Sequence, residues 1–384
     1  MFRFVAACAL LAMAQTAVAQ DHDHAKMLRD QAAAQGGWQW MQDGNVFVMF
    51  NHQSSDRGGD EVVAPNWWML MGSRKTSRGL LTLSGMFSLD ALTVGNDGYR
   101  ELFQTGETFE GQPVIDRQHP HDLFMGLSAA WSVGLPAKAA LTIKGGAVDA
   151  PALGPIPFMH RASAFDNPMA PLTHHLFDST HIAFGVATAA IERGPWTLEG
   201  SVFNGREPDE NRWDFDFGRM DSTSARLWFK PNAQWAFQVS TGHLASPEKF
   251  EPGDVQRTTA TASWTRVSGG NIDAVTAGFG MNQEPSHLRQ GVFVEAARHH
   301  GRNTFYSRAE ILKIDPHIAG VAGGVFTIGG VRDILTGHGL ESGIGAAATL
   351  YVTRGLLDPF YGSHPNSVQV FFRVRSAAHM VNMQ

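Results

Sequence analysis

Apolar and polar side chains alternate with period 2 over most of the chain. Between 78 and 90, Leu81, Leu83, Phe87 and Leu89 alternate with Thr82, Ser84 and Ser88, and between 256 and 267, Ala260, Ala262 and Trp264 alternate with Thr259, Thr261 and Ser263. Side chains of an extended chain project to opposite faces in turn, so each segment reads as a strand with one apolar and one wet face. The signature recurs in Trp196, Leu198, Gly200 and Val202, in Trp235, Phe237 and Val239, and in Val368, Val370, Phe372 and Val374. It predicts strands near residues 44–53, 65–75, 78–90, 122–134, 136–147, 181–192, 195–204, 222–230, 233–242, 256–266, 270–281, 288–299, 302–313, 320–332, 339–353 and 367–375.

The connections are more informative than the strands. One set is tight, at Thr76-Ser77, Leu135, Gly194, Pro231-Asn232, Ser268-Gly269 and His300-Gly301; most of the others are long, notably 91–121, 148–180, 205–221, 243–255 and 354–366. A barrel that crosses an outer membrane needs this parity, with short periplasmic turns at one end and long extracellular loops at the other. A secreted all-β sandwich or solenoid, the competing reading, has no reason to keep it. Hydrocarbon offers no hydrogen-bond partners, so strands cross it only when the sheet closes and leaves no edge. The predicted fold class is all-β: a closed antiparallel transmembrane β-barrel of about sixteen strands, with fourteen or eighteen as neighbouring solutions. Aromatic residues near predicted strand ends, among them Trp67, Trp131, Trp196, Trp228, Tyr351, Phe371 and Phe372, suit interfacial girdles or ordinary β-core packing.

On these features the chain from Gly44 to Arg375 resembles the Gram-negative outer-membrane β-barrel proteins, porins included, and Ser367 to Arg375 looks like a barrel-closing last strand. Members of that class commonly finish on an aromatic residue, whereas residues 376–384 continue past Phe372. The resemblance implies an outer-membrane location, lipid and lipopolysaccharide as surroundings, and assembly by the barrel assembly machinery. It names no solute. A sixteen-strand barrel is wide enough for an aqueous lumen, so the first functional expectation is porin-like passage of small hydrophilic solutes.

Composition narrows the alternatives. Charged residues make up 17 % of the chain, below the roughly 25 % of a soluble domain. The net charge of −6 comes without basic runs, which removes the electrostatic footprint of a nucleic-acid binder. Arg3, an apolar stretch from Phe4 to Ala14 and Ala17-Val18-Ala19 read as a cleavable secretory signal over 1–19. The single cysteine, Cys8, leaves with it, so no disulfide framework is available. Residues 20–43 then form an N-terminal periplasmic segment with a short helix near 25–35, residues 44–375 the barrel, and 376–384 a tail. No later stretch approaches the roughly 18 apolar residues of a membrane helix.

Candidate chemistry lies in two sets. By strand parity Glu199, Arg226, Lys230, Arg257 and Glu295, with Arg308, Glu310, Arg373 and Arg375, face the lumen, because a charge on the lipid face near the midplane costs roughly 2–4 kcal/mol. They read either as a salt-bridged wet wall or as a pore favouring anionic solutes, with connection 91–121 folding inward as a constriction. The second set is histidine. His119-Pro120-His121-Asp122 leads into a strand, and His160 and His174-His175 lie in the next long connection, with Asp178 and His181 just beyond. Imidazole with carboxylate suits copper or zinc, so His119, His121, Asp122, His160, His174 and His175 are the candidate metal ligands, drawn from two converging loops. The alternative is a set of loop histidines bonding carbonyls inside a folded plug. A third hint is His22 at the third position after cleavage, able to chelate copper with the free amine. No nucleophile elbow is present, since Ser201 in Glu-Gly-Ser-Val-Phe lacks the second glycine, and an enzyme is not expected.

Overall fold

The computed structural model describes Ala32 and residues 37–249, 252–285, 287–313, 322–352 and 357–376. The signal, the His22 chelate, all of the predicted short helix but Ala32, and the tail beyond Ser376 lie outside the described residues. The strands are β1 (Trp38–Gln53), β2 (Gly59–Val63), β3 (Asn66–Thr76), β4 (Gly79–Phe87), β5 (Tyr99–Phe109), β6 (Gln112–Gln118), β7 (Phe124–Leu135), β8 (Ala139–Asp149), β9 (Ala183–Arg193), β10 (Trp196–Phe203), β11 (Ser222–Phe229), β12 (Trp235–Leu244), β13 (Val255–Ser268), β14 (Asn271–Gln283), β15 (Leu288–His300), β16 (Asn303–Lys313), β17 (Ala322–Gly337), β18 (Leu340–Val352) and β19 (Asn366–Ser376). Three one-turn helices interrupt the connections: α1 (Asp90–Thr93), α2 (His174–Phe177) and α3 (Asp358–Tyr361).

All strands except β5 and β6 belong to one antiparallel sheet. It closes where β1 meets β19, in register from Asn45 opposite Arg375 to Gln53 opposite Ser367. β2 and β3 pair with successive stretches of β1 and make a single crossing, so the barrel has sixteen strands. The first crossing starts at Trp38, six residues before the Gly44 boundary read from the sequence, because residues 38–43 continue the β1 ladder against β3 from Trp38 opposite Arg74. Alternation runs through that stretch too, with Trp40 52 % exposed and Met41 and Asp43 turned inward.

Strand β18 shows why the sequence folds this way. Ile344, Leu350 and Val352 project outward, while Glu341, Ala347, Thr349 and Tyr351 are buried toward the interior. Burial of one face and lipid exposure of the other is the pattern a closed crossing requires. At the short-turn end, Gly269 and Gly270 take φ of +57° and +78°, the left-handed pair that a two-residue hairpin needs between β13 and β14. The predicted girdle divides. Trp131, Trp196 and Phe372 face outward, whereas Trp67, Trp228, Tyr351 and Phe371 are buried on the inner face. Parity, rather than aromatic character, decides which side each ring takes.

The lumen is not an open tube over its full length. Connection 150–182 folds into it and is buried nearly throughout. The hairpin β5–β6 joins it, so that Leu102 and Phe103 pack with Leu172, Leu176 and Phe177 against wall residues Phe293, Leu312 and Tyr351. On the other side Phe158 and Met159 pack with Met41, Trp67 and Met69. Glycines thin the wall where this plug comes closest: a Cβ on Gly280 would stand 2.8 Å from the Leu176 carbonyl, and one on Gly291 2.7 Å from Leu176 Cδ1.

The inward charges are where parity placed them, but most hold the plug rather than line water. Glu295 receives Arg161 Nε at 2.6 Å and Ser163 Oγ at 2.8 Å, and Glu310 takes both the amide and the hydroxyl of Thr173. Arg308 donates to the carbonyls of Met169 and Ala170, Arg257 to Ser179, and Arg373 and Arg375 both to Asp166. The expectation of a wet wall is therefore corrected at these six positions, because parity fixes which way a strand residue points and not what fills the space it points into. Glu199 and Lys230 border a cavity of about 640 Å³ at the short-turn end, and Arg226 pairs with Glu199 beside it. There Arg226 Nε donates to Glu199 at 2.6 Å and Lys230 sits over the Trp228 ring.

Candidate metal centre

Two connections meet within this plug. Extended chain after β6 carries His119 and His121, with Pro120 between them keeping the preceding residue out of helix. In connection 150–182, α2 supplies His174 and His175, and the next turn, Ser179–His181, supplies His181. The rings of His119, His121, His181 and His174 close a circuit, with successive centroids 6.4, 5.6, 5.3 and 6.2 Å apart. His175 adds a fifth ring, 5.5 Å from His119 and 5.3 Å from His174.

Four of the imidazoles are held in the same way. Nδ1 of His119 lies 3.0 Å from Glu107 Oε1, that of His121 2.8 Å from Asp90 Oδ2, that of His174 2.7 Å from Asp178 Oδ1, and that of His181 2.8 Å from the Asp178 carbonyl. Each partner is an acceptor, which assigns the proton to Nδ1 and leaves the Nε2 lone pair free. In all four the Nε2 atom is buried and hydrogen-bonds nothing in the protein. A buried polar atom without a partner costs about 1–3 kcal/mol, and native proteins rarely collect several at one place without a ligand for them. Carboxylate or carbonyl on one nitrogen and a free second nitrogen is the outer support that metal-binding histidines use.

The electrostatics keep the ligands ready. Burial brings the His174 imidazolium down to about 4, despite Asp178, and burial with the neighbouring His174 and His121 pushes His181 well below its ordinary value. Both rings are thus neutral at neutral pH, the form that binds metal. Against the desolvation of burial, the Arg212 charge and the hydrogen bond from His119 hold Glu107 well below the carboxylate range. Burial pushes His175 down, but Glu207, 3.3 Å from its Nδ1, raises it overall. Two imidazoles sharing a tetrahedral zinc at about 2.0–2.1 Å put their ring centroids roughly 5 Å apart, close to the shorter spacings seen here. Among the described residues the acidic trio Asp209, Asp214 and Asp216 on the outer rim brings three ligand atoms within 4.8 Å of one another, and no three of the cluster's imidazoles do so. Closing on one ion requires the rings to tilt inward.

Of the six ligands read from the sequence, His119, His121, His174 and His175 come together here. Asp122 is buried beside them but faces Arg212, 3.6 Å away, which also binds Glu107. Burial raises Asp122 to about 8. His160 packs edge-on against Trp67 at 4.6 Å. His181 belongs to the cluster and was left out of the predicted set, although its spacing from His174 places it one short turn further on. Glu107 and Asp90, the remote anchors, carried no signal in sequence.

No family model and no curated protein matches the chain. Solved structures do. The anion-selective porin from Comamonas acidovorans is 11 % identical, with 88 % of this chain and 100 % of that one covered and a TM-score of 0.54. Salmonella typhi OmpF in complex with daunomycin is 7 % identical over 88 % and 97 % of the two chains, at 0.54. A loop L8 deletion mutant of OmpT, an outer membrane protein of Vibrio cholerae, is 7 % identical over 88 % and 99 %, at 0.51. At such identities the likeness is one of fold, and the fold is that of a porin-like outer-membrane barrel.

Proposed function

We propose that this porin-like outer-membrane barrel binds a copper or zinc ion inside its lumen, at the circuit of His119, His121, His174, His175 and His181. The single observation that carries the reading is the shared design of four rings, anchored through Nδ1 and free at a buried Nε2. Imidazole suits both metals, and the site itself contains no thiolate or thioether to favour one. The reading assigns no catalytic residue: Ser201 gives its hydroxyl to local bonding with Ala152 N and Thr188 Oγ1. Metal titration of refolded wild-type protein against a His119→Ala/His121→Ala variant tests it. Wild type should retain copper or zinc through desalting and the variant should lose affinity by at least about tenfold. Equal stoichiometry and affinity in both would show that these histidines are not the site.

A second reading, porin-like passage of small hydrophilic solutes, draws support from the 640 Å³ cavity at the short-turn end and its polar lining of Glu199, Lys230, Thr276 and Ser263. Under it the plug sets the exclusion limit. Single-channel conductance in planar bilayers separates it from a barrel that only binds.

A further inference from the structure

On the loop side of the plug lies a second cavity, about 290 Å³, between the β5–β6 hairpin and residues 206–209 and 246–249. Its lining carries the four acids Glu107, Glu207, Asp209 and Glu248 against the two bases Arg206 and Lys249, so the balance is negative. Two of these acids also touch the imidazole cluster: Glu107 holds His119 and Glu207 lies beside His175. His175 differs from the other four rings. Neither of its nitrogens makes a hydrogen bond, its Nδ1 having only the 3.3 Å ion-pair approach to Glu207. Its ring lies directly under Gly106, another residue of the cavity wall, where a Cβ would come within 2.1 Å of Cε1. The absence of that Cβ leaves the imidazole room beneath the cavity floor.

We infer that this acidic cavity is the loop-side access route of the metal ion, with Glu207 and His175 as the pair that receives the cation and passes it to the anchored rings. This deepens, and rests on, the reading of the histidine circuit as a metal site. The chemistry is that of a divalent or monovalent transition-metal cation: carboxylates attract it through the loop-side opening, and an imidazole without a fixed Nδ1 partner can turn between the carboxylate and the other rings. Rings whose Nδ1 is pinned by Asp90 or Asp178 have no such freedom.

The kinetics of Co²⁺ association, followed by its ligand-field absorption in the refolded full-length barrel, test this. Glu207→Gln should slow association by about tenfold at low salt while leaving the number of ions bound per chain unchanged. Glu192→Gln removes the same charge from the wall of the opposite cavity and should change the rate less than about twofold. Wild-type association should also slow as ionic strength rises, an arm that stands even where Glu207→Gln fails the heat-modifiability check for folding, in which case Glu248→Gln replaces it. An association rate unchanged in Glu207→Gln, or slowed in Glu192→Gln instead, overturns the route. Failure of wild type to bind Co²⁺, copper or zinc at all overturns the site and the route together.

Discussion

Asp178 accepts the Nδ1–H of His174 at 2.7 Å, with both side chains almost wholly buried. Its other oxygen takes Arg161 Nη1 at 2.9 Å, and Arg161 reaches on to Glu295 in the barrel wall. One carboxylate therefore orients a candidate ligand and ties the plug to the strand that surrounds it. Asp178→Asn keeps the shape but loses the charge, and we expect metal affinity to fall about 10- to 100-fold, measured by competition with a chromogenic chelator. His174→Ala should cost at least as much. An unchanged affinity in Asp178→Asn would separate the carboxylate from the site.

The plug itself is held by Asp166, which receives both Arg373 and Arg375 from β19. Arg373 keeps Asp333 and Arg375 keeps Glu341 when Asp166 loses its charge, so the change removes the plug's ties to β19 without stranding a cation in the wall. Asp166→Asn should loosen connection 150–182 while the strand ladder stays intact. The expected readout is larger and more frequent conductance events in planar bilayers than wild type shows, with unchanged heat-modifiable migration.

Much of this barrel was legible in the chain, for a physical reason. Lipid on one face and a packed interior on the other impose strict alternation, and the parity of short and long connections follows from strands that reverse at each membrane surface. Residues 38–43 were missed because Gly44 interrupts the apolar rhythm, although Trp40 continues it. The plug was not legible from periodicity. Its signal, in retrospect, is the apolar run from Ala150 to Met159 in a connection that should have been wet. Histidines could be grouped by type, but their anchors sit in different segments, Asp90 in α1 and Glu107 in β5. Only the folded chain brings these to His121 and His119.

Close packing between wall and plug gives a third expectation. A side chain at Gly280 meets the backbone carbonyl of Leu176, which cannot swing aside as a side-chain tip can. Gly280→Val should therefore destabilise the barrel by about 1–3 kcal/mol and displace α2, lowering metal affinity with it. Urea unfolding in detergent measures the first effect and chelator competition the second.

Lipid exposure of the outer face gives a fourth. Ala348 is exposed on the outer face of β18 between Ile328 and Val368, and Ala348→Arg puts a charge among apolar neighbours. It should cost roughly 2–4 kcal/mol in refolding into phospholipid vesicles. Thr349→Ser, on the inner face of the same strand, should refold nearly as wild type.

The most direct test of the central claim is the first coordination shell of the bound ion. X-ray absorption at the zinc edge of protein loaded with one equivalent should show nitrogen at about 2.0–2.1 Å and the outer-shell scattering of three or four imidazoles. An oxygen shell without imidazole scattering, as the rim carboxylates Asp209, Asp214 and Asp216 would give, would contradict it.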